Sequence, residues 1–301
     1  MTFSRTKRLG LLLALAAIAG VPAGASEALV RETEAWRAGR VAQLTAPDNW
    51  LSLVGLHFLK PGVSTIGGAA GNDVVLGRGP DRLGTIEVRA DGTVWLTVEA
   101  AADVKVDGRK VRRAELKIGE GAVPSTPVTF GTTTLFALNP NGRKALRVKD
   151  SASPYRTGFA GLDYFPVDPA WRIEARWEAF ERSRIIQVTD GIGQTGPALI
   201  PGRAVFERDG RQYELLAIDE GRDRPLFFVM SDATSGRETY GASRFLYVPW
   251  PSGDRIVLDF NRAENPPCAF TPFSMCPLPP KENRLPFAVT AGEKTYRGKH
   301  E

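Results

Sequence analysis

Residues capable of chemistry concentrate in one stretch, Asp259 to Tyr296, which holds both cysteines of the chain and seven of its 22 prolines. The polar side chains on or beside it are Tyr240, Arg244, Asp259, Asn261, Arg262, Asn265, Glu282, Asn283 and Arg284. Arginines in such a cluster can hold an anionic or carbonyl-bearing ligand, with amides as further partners. The pattern predicts a pocket for a small polar or anionic molecule beside loop 259–286. The predicted ligand-binding residues are Tyr240, Arg244, Asn261, Asn265, Asn283 and Arg284.

The same polar residues have a structural alternative. Prolines donate no backbone hydrogen bond, so an irregular proline-rich loop leaves carbonyl groups to be satisfied by side chains. Aromatic and aliphatic residues along the loop predict that it is ordered, because they offer too much apolar surface to leave in water. In this alternative the cluster braces the loop and binds nothing.

A hydrolase is the alternative function. His300 sits close to the C-terminus, which leaves His57, in LVGLHFL, as the imidazole that chemistry would use. The candidate catalytic residues are His57, Cys268, Asp259 and Glu282. No G-x-S-x-G motif occurs, and the structural alternative for His57 is a partly buried ring bonded to backbone.

Cys268 and Cys276 allow three interpretations. They form a disulfide, remain free and buried, or provide a reactive thiol. Metal binding is not expected, since C-x-x-C and H-E-x-x-H motifs are absent. Dinucleotide and P-loop fingerprints are absent too, so we expect no cofactor.

The N-terminus predicts export. Arg5, Lys7 and Arg8 precede an apolar run from Leu9 to Ile18, and Ala23-Gly24-Ala25 provides a cleavage pattern. Cleavage after Ala25 would place the protein in the periplasm or outside the cell. It would also remove three basic residues from a chain of net charge +5, leaving +2, too little to indicate nucleic-acid binding. No later segment is apolar enough to span a membrane, and the sequence predicts no oligomeric state.

The remaining chain predicts a mainly β protein with two domains. A helix over residues 26–46 should pack Trp36 on the domain that follows. Short strands separated by turn residues predict a β-sandwich over residues 47–148. Alternating strands with Asp-Gly and Ser-Gly turns predict an antiparallel sheet or open barrel over residues 149–301, crossed by the Pro/Cys loop.

The first domain resembles a forkhead-associated (FHA) sandwich. TIGGAAGNDVVL, VKVDGRKV and VTFGTTTLFAL match the frame of that fold. The family's phosphothreonine readers have an arginine where this chain has Gly68 and an asparagine where it has Asp107. The resemblance therefore implies the FHA-like scaffold without phosphopeptide binding.

A second resemblance covers residues 50–297. LVGLHFLKPG, GLDYFPVDPAWRIEARW, ETYGASRFLYV and above all LDFNRAENPPCAFTPFSMCPLPPKENRLPFAVTAGEKTY resemble the domain of unknown function 1684 family. The family implies no activity. Its members also occur without export signals, which keeps the free-thiol interpretation open. Three functions follow: an exported protein that binds a small polar or anionic ligand or an envelope component, a hydrolase, and a structural or interaction module.

Overall fold

The computed structural model describes residues 23–119 and 124–298, with side chains from Ser26 onward. The predicted signal segment lies outside the described residues as far as residue 22, as does His300, so export and the cleavage site stay predictions. No helix in these two ranges is long and apolar enough to cross a membrane.

Helix α1 spans Ala23–Leu44. Its buried positions are Leu29, Thr33, Arg40 and Leu44, whose intervals of four, seven and four residues place them on one face. This face lies on the C-terminal half of the chain, where Arg40 donates to the Asn265 carbonyl. Trp36 lies on the same face, three residues after Thr33 and four before Arg40, and is half-buried. That it packs on the following domain stays a prediction.

The first half of the chain contains two five-stranded sheets, ordered β1-β10-β9-β8-β6 and β3-β2-β4-β5-β7. Their strands are β1 Leu53–Phe58, β2 Gly62–Gly67, β3 Val74–Val75, β4 Gly84–Val88, β5 Val94–Val98, β6 Lys105–Val106, β7 Arg113–Glu115, β8 Val128–Phe130, β9 Thr133–Leu138 and β10 Ala145–Asp150. Side chains of both sheets, among them Ile86, Leu96, Leu135 and Val148, form one hydrophobic core. Period-two burial along β4 and β9 produces this arrangement, since alternate residues face the core.

The second half is also antiparallel β. A four-stranded sheet has the order β13-β12-β11-β16, and β14 and β15 form a separate pair. Their bounds are β11 Arg172–Thr189, β12 Thr195–Arg208, β13 Arg211–Ala217, β14 Leu226–Met230, β15 Arg244–Val248 and β16 Arg255–Asp259. The core beneath them includes Trp171, Phe228 and Phe260. The predicted mainly β fold with antiparallel sheets is confirmed, whereas the FHA likeness and the domain boundaries stay predictions.

Short helical segments join these sheets. Helix α2 spans Pro154–Thr157, and 3-10 turns occupy Trp50–Ser52, Pro140–Gly142, Pro169–Trp171, Phe260–Arg262, Pro267–Ala269 and Lys281–Asn283. The last three lie within loop 259–286, so the loop is a series of single turns separated by extended proline segments.

Candidate functional site

Loop 259–286 begins at a carboxylate that organises its first turn. Asp259 accepts hydrogen bonds from the backbone N–H and the side-chain Nδ2 of Asn261, at 3.2 and 3.0 Å. Its other oxygen lies 3.0 Å from Nη1 of Arg172 and 3.5 Å from Nε of Arg262. Asn261 is fully buried and bonds both backbone groups of Asp168 at 3.0 Å. Asn261 thus fixes the incoming connection, while Asp259 positions two arginines at the surface.

The middle of the loop is closed by a disulfide between Cys268 and Cys276. Ser274 Oγ donates to Cys268 Sγ at 3.1 Å, and Cys276 is buried in an apolar cluster with Phe227 and Phe245. The tip of the β11–β12 hairpin covers this segment, since Gly191 N–H donates to the Cys276 carbonyl at 3.0 Å. In the disulfide neither sulfur is a thiolate, so Cys268 cannot act as a nucleophile.

Arg244 lies in the interior with a side chain only 1% exposed. It pairs with Asp232 at 2.9 Å and donates to the backbone carbonyls of Val289, at 3.0 Å, and Ala291. Burial lowers the pKa of Arg244, and Asp232 opposes that shift. The guanidinium therefore joins β15 to the segment after the loop. The hydrogen bonds observed for its nitrogens are all made to other groups of the protein.

The two asparagines at the loop ends hold backbone groups of other elements. Asn283 Oδ1 accepts from Leu216 N–H at 2.7 Å, and its Nδ2 donates to the carbonyls of Leu216 and Val229, both at 2.9 Å. It therefore ties β13 to β14, which belong to different sheets. Asn265 donates through Nδ2 to the Lys294 carbonyl at 2.7 Å.

The other two predicted ligand-binding residues lie nearer the surface. Tyr240 is half-buried and donates to the Cys268 carbonyl at 3.3 Å, and burial raises the pKa of its hydroxyl. Arg284 is exposed and reaches the Pro279 carbonyl at 3.4 Å. The six predicted residues are thus spread around the loop, and ligand binding by them stays a prediction.

Across the part of the chain that the structure describes, no hydrogen bond or ion pair links His57 to Cys268, Asp259 or Glu282. His57 lies on β1, its buried Nε2 has no hydrogen-bond partner in the described chain, and burial lowers its pKa. The loop touches β1 through Thr271, which donates to the Leu53 carbonyl. His57 is four residues further along that strand, roughly 13 Å away. Glu282 sits on the last 3-10 turn, near Lys281. Within residues 23–119 and 124–298 no three His, Cys, Asp or Glu side chains could jointly hold a metal ion.

A buried ionic cluster that was not predicted from the sequence lies beneath α1. Arg40 Nε donates to Glu293 at 3.0 Å, and its Nη1 lies 3.3 Å from Glu264. Burial raises the pKa of Glu264 to about 7, although Arg40 pulls it down. Burial also raises the pKa of Tyr164, whose hydroxyl is buried and unpaired among the described residues. The sequence signal for this cluster was the helical spacing of Thr33, Arg40 and Leu44, which places the charged Arg40 on the buried face of α1.

A close backbone approach places Glu293 in this cluster. Gly292 adopts φ +77°, and a Cβ there would lie 2.4 Å from the Ala263 carbonyl oxygen. Only glycine fits that conformation and that space. The contact lets Glu293 N–H donate to the same carbonyl at 2.8 Å and turns its carboxylate toward Arg40.

An open cleft of about 580 Å³ lies beside the first turn of the loop, between β15 and β16. Arg172, Asp259 and Arg262 line it where β16 meets the loop. Val257 follows along β16, and the exposed pair of Arg255 and Glu174 lies beyond it. Tyr247 and Trp250 add further apolar lining. Arg262 and Asp259 belong to the predicted polar cluster, and the other lining residues were not singled out from the sequence.

Two solved structures are similar to parts of this chain. A solution NMR structure of an uncharacterized protein of Haloarcula marismortui, from gene locus rrnAC0354, is 35% identical, covering 46% of this chain and 79% of that one, with a TM-score of 0.40. A crystal structure of Rad53 residues 1–466 with AMP-PNP is 13% identical, covering 60% and 39%, with a TM-score of 0.15. No curated protein matches.

Residues 157–294 match a family described as "Protein of unknown function (DUF1684)". The predicted resemblance began at residue 50, and its part before residue 157 stays a prediction. The matched residues include the NPPC, CPLPP and NRLP segments. The chain belongs to the DUF1684 family.

Proposed function

We propose that this protein binds a small amphiphilic anion in the cleft between β15 and β16. The observation that carries the proposal is the placement of Arg172 and Arg262 around Asp259, in a cleft that also exposes Val257 and Tyr247. With export as the sequence predicts it, the ligand would be a small molecule or envelope component met in the periplasm or outside the cell.

The polar lining of the cleft supports recognition of an anion. Asp259 is 9% exposed and engages one edge of each guanidinium, while the side chains of Arg172 and Arg262 are 42% and 34% exposed. Arg262 also lies 3.7 Å from Glu32 of α1, whereas among the described residues Arg172 contacts one carboxylate, that of Asp259. The partly exposed guanidinium of Arg172 is therefore the group that would donate to a carboxylate, sulfonate or phosphate.

The apolar lining supports an organic body on that anion. Val257 and Tyr247 are 39% and 43% exposed, large fractions for residues in the middle of strands. A ligand covering them would remove apolar surface from water, at about 25 cal/mol per Å². The volume of about 580 Å³ is that of a small-molecule site.

A fluorescent probe tests the proposal. 8-Anilinonaphthalene-1-sulfonate combines a sulfonate with an aromatic body, and its emission rises in an apolar site. We expect saturable binding by the wild type and about tenfold weaker binding by Arg172→Gln/Arg262→Gln. Val257→Thr, which keeps shape and β-propensity, should weaken binding less.

The matched control is Arg211→Gln, an exposed arginine on β13 outside the cleft. Its affinity should equal that of the wild type. Equal affinities of the double variant and the wild type, with unchanged thermal stability, would overturn the proposal. Competition by decanoate and by decyl phosphate then identifies the preferred head group.

A further inference from the structure

A second cavity lies on another face of the C-terminal half. It has a volume of about 610 Å³ and lies between the turn 236–241 and the segment 294–297. Its lining includes Arg237, Lys294 and Arg297, and shares no residue with the cleft between β15 and β16. It is therefore independent of the function proposed above.

The turn that forms one wall is held by buried hydrogen bonds. Asp232 Oδ1 accepts from the backbone N–H and hydroxyl of Thr234, at 2.8 and 2.7 Å. The hydroxyls of Thr234 and Thr239 lie 2.8 Å apart, and Gly236 N–H donates to the Thr239 carbonyl at 2.9 Å. Asp232 is in turn fixed by Arg244. The wall is therefore preorganised, which lowers the entropy cost of binding.

The charge of the cavity is positive and partly uncompensated. Within the described ranges Arg237 and Lys294 form no ion pair with a carboxylate, while Arg297 lies 3.3 Å from Asp163. Glu238 is the acidic residue in the lining. Each unpaired cation is positioned by another contact, Arg237 by the Ala233 carbonyl and Lys294 by the Phe165 ring at 4.7 Å. Two positioned cations, neither of them paired with a carboxylate in the described ranges, thus border a cavity that has one acidic residue, Glu238, in its lining.

Glycine and threonine complete the lining. Gly236 has φ +77° and lies close to Gly241, so no side chain projects from either position into the cavity. A ligand can therefore approach the backbone closely, as oxyanions do at glycine-rich turns. Thr295 adds an exposed hydroxyl on the opposite wall.

We propose that this cavity binds the phosphate group of a phosphate monoester. The guanidinium of Arg237 can donate two parallel hydrogen bonds to one face of a tetrahedral dianion. The ammonium of Lys294 supplies a point charge from the opposite wall. Two cations match the dianion better than the single charge of a carboxylate.

The probes are inorganic phosphate and phenyl phosphate, titrated by isothermal calorimetry at low ionic strength. We expect the wild type to bind phenyl phosphate. The variant Arg237→Gln/Lys294→Gln should bind about tenfold more weakly. The control Arg211→Gln/Lys60→Gln makes the same change in net charge at exposed positions outside the cavity and should shift affinity by less than roughly twofold.

Three results would overturn the inference: no heat with either probe, equal losses in the two double variants, or an undiminished affinity in the cavity variant. Equal thermal unfolding of all variants excludes a folding defect. Arg172→Gln/Arg262→Gln should retain phosphate binding, so a failure of the cleft proposal leaves this result unaffected.

Discussion

Nε of Arg40 donates to Oε1 of Glu293 at 3.0 Å, although 253 residues separate the two side chains. The same guanidinium donates to the Asn265 carbonyl at 2.9 Å and faces Glu264 at 3.3 Å. The second oxygen of Glu293 accepts from Asn265 N–H at 2.7 Å. One arginine therefore joins helix α1, the Pro/Cys loop and the C-terminal segment, which makes α1 part of the second half of the fold.

Replacing Arg40 should destabilise the protein strongly. Arg40→Met keeps length and helix propensity but leaves the fully buried carboxylate of Glu293 without its counter-charge. Breaking a buried ion pair in this way costs about 3–5 kcal/mol of unfolding free energy. Urea denaturation at neutral pH measures the loss. Arg31→Met, at an exposed position of α1, is the control, and a difference between the two variants below about 1 kcal/mol would contradict the role given to Arg40.

Glu264 should make stability depend on pH. Burial raises its pKa from 4.5 to about 7, with Arg40 opposing and Glu293 adding to the shift. Since the folded state holds this proton more tightly than the unfolded state, the stabilisation is fully present below pH 4.5 and is lost as pH rises through about 7. Glu264→Gln cannot ionise, so at pH 8 it should be more stable than the wild type by about 3 kcal/mol, and equal to it near pH 4.5.

The comparison of variants separates Glu264 from other titrating groups. Burial lowers the pKa of His57, so its contribution has the opposite sign, being lost as pH falls. The difference between Glu264→Gln and the wild type cancels that contribution. Glu27→Gln, exposed on α1, should show no such difference. A stability difference that stays constant from pH 4.5 to 8 would rule out the raised pKa.

Much of the strand pattern was predictable because it is local. In strands such as Gly84–Val88 the alternation of burial follows from the order of the side chains along the strand, which can be read from a few neighbouring residues. The order of the Pro/Cys loop was also predictable, since Phe260 and Phe270 could not remain in water. The disulfide was one of three interpretations, and the choice needed the sulfurs to be placed in space.

The roles of the polar residues were not predictable, because their partners are distant in sequence. Asn283 bonds backbone groups 67 and 54 residues away, and Arg244 bonds carbonyls 45 and 47 residues away. These residues lie on or near one loop in the sequence, but which of their side chains face solvent depends on how the sheets pack against each other. Arg172 and Tyr247 line the candidate cleft because of how the strands pair and pack, which a local sequence pattern cannot predict.

The disulfide should stabilise the loop by restricting the unfolded chain. Cys268 and Cys276 are eight residues apart, and closing a loop of that size contributes about 2.5 kcal/mol in the chain-entropy model. Cys268→Ala/Cys276→Ala should lose about that much in urea denaturation. Dithiothreitol should lower the wild type to the same level and leave the variant unchanged. A wild type whose thiols become titratable without any loss of stability would contradict this account.

Asn283 should hold the two sheets of the second half together. Asn283→Ala removes three hydrogen bonds and leaves buried backbone groups of Leu216 and Val229 unpaired, a cost of about 3 kcal/mol. Amide hydrogen exchange gives a local readout, because Leu216 N–H loses its acceptor and should exchange faster than its neighbours on β13. Glu282→Ala, one residue away and near the surface, should change neither quantity by a measurable amount. Unchanged exchange at Leu216 in Asn283→Ala would mean that the amide does not connect β13 to β14.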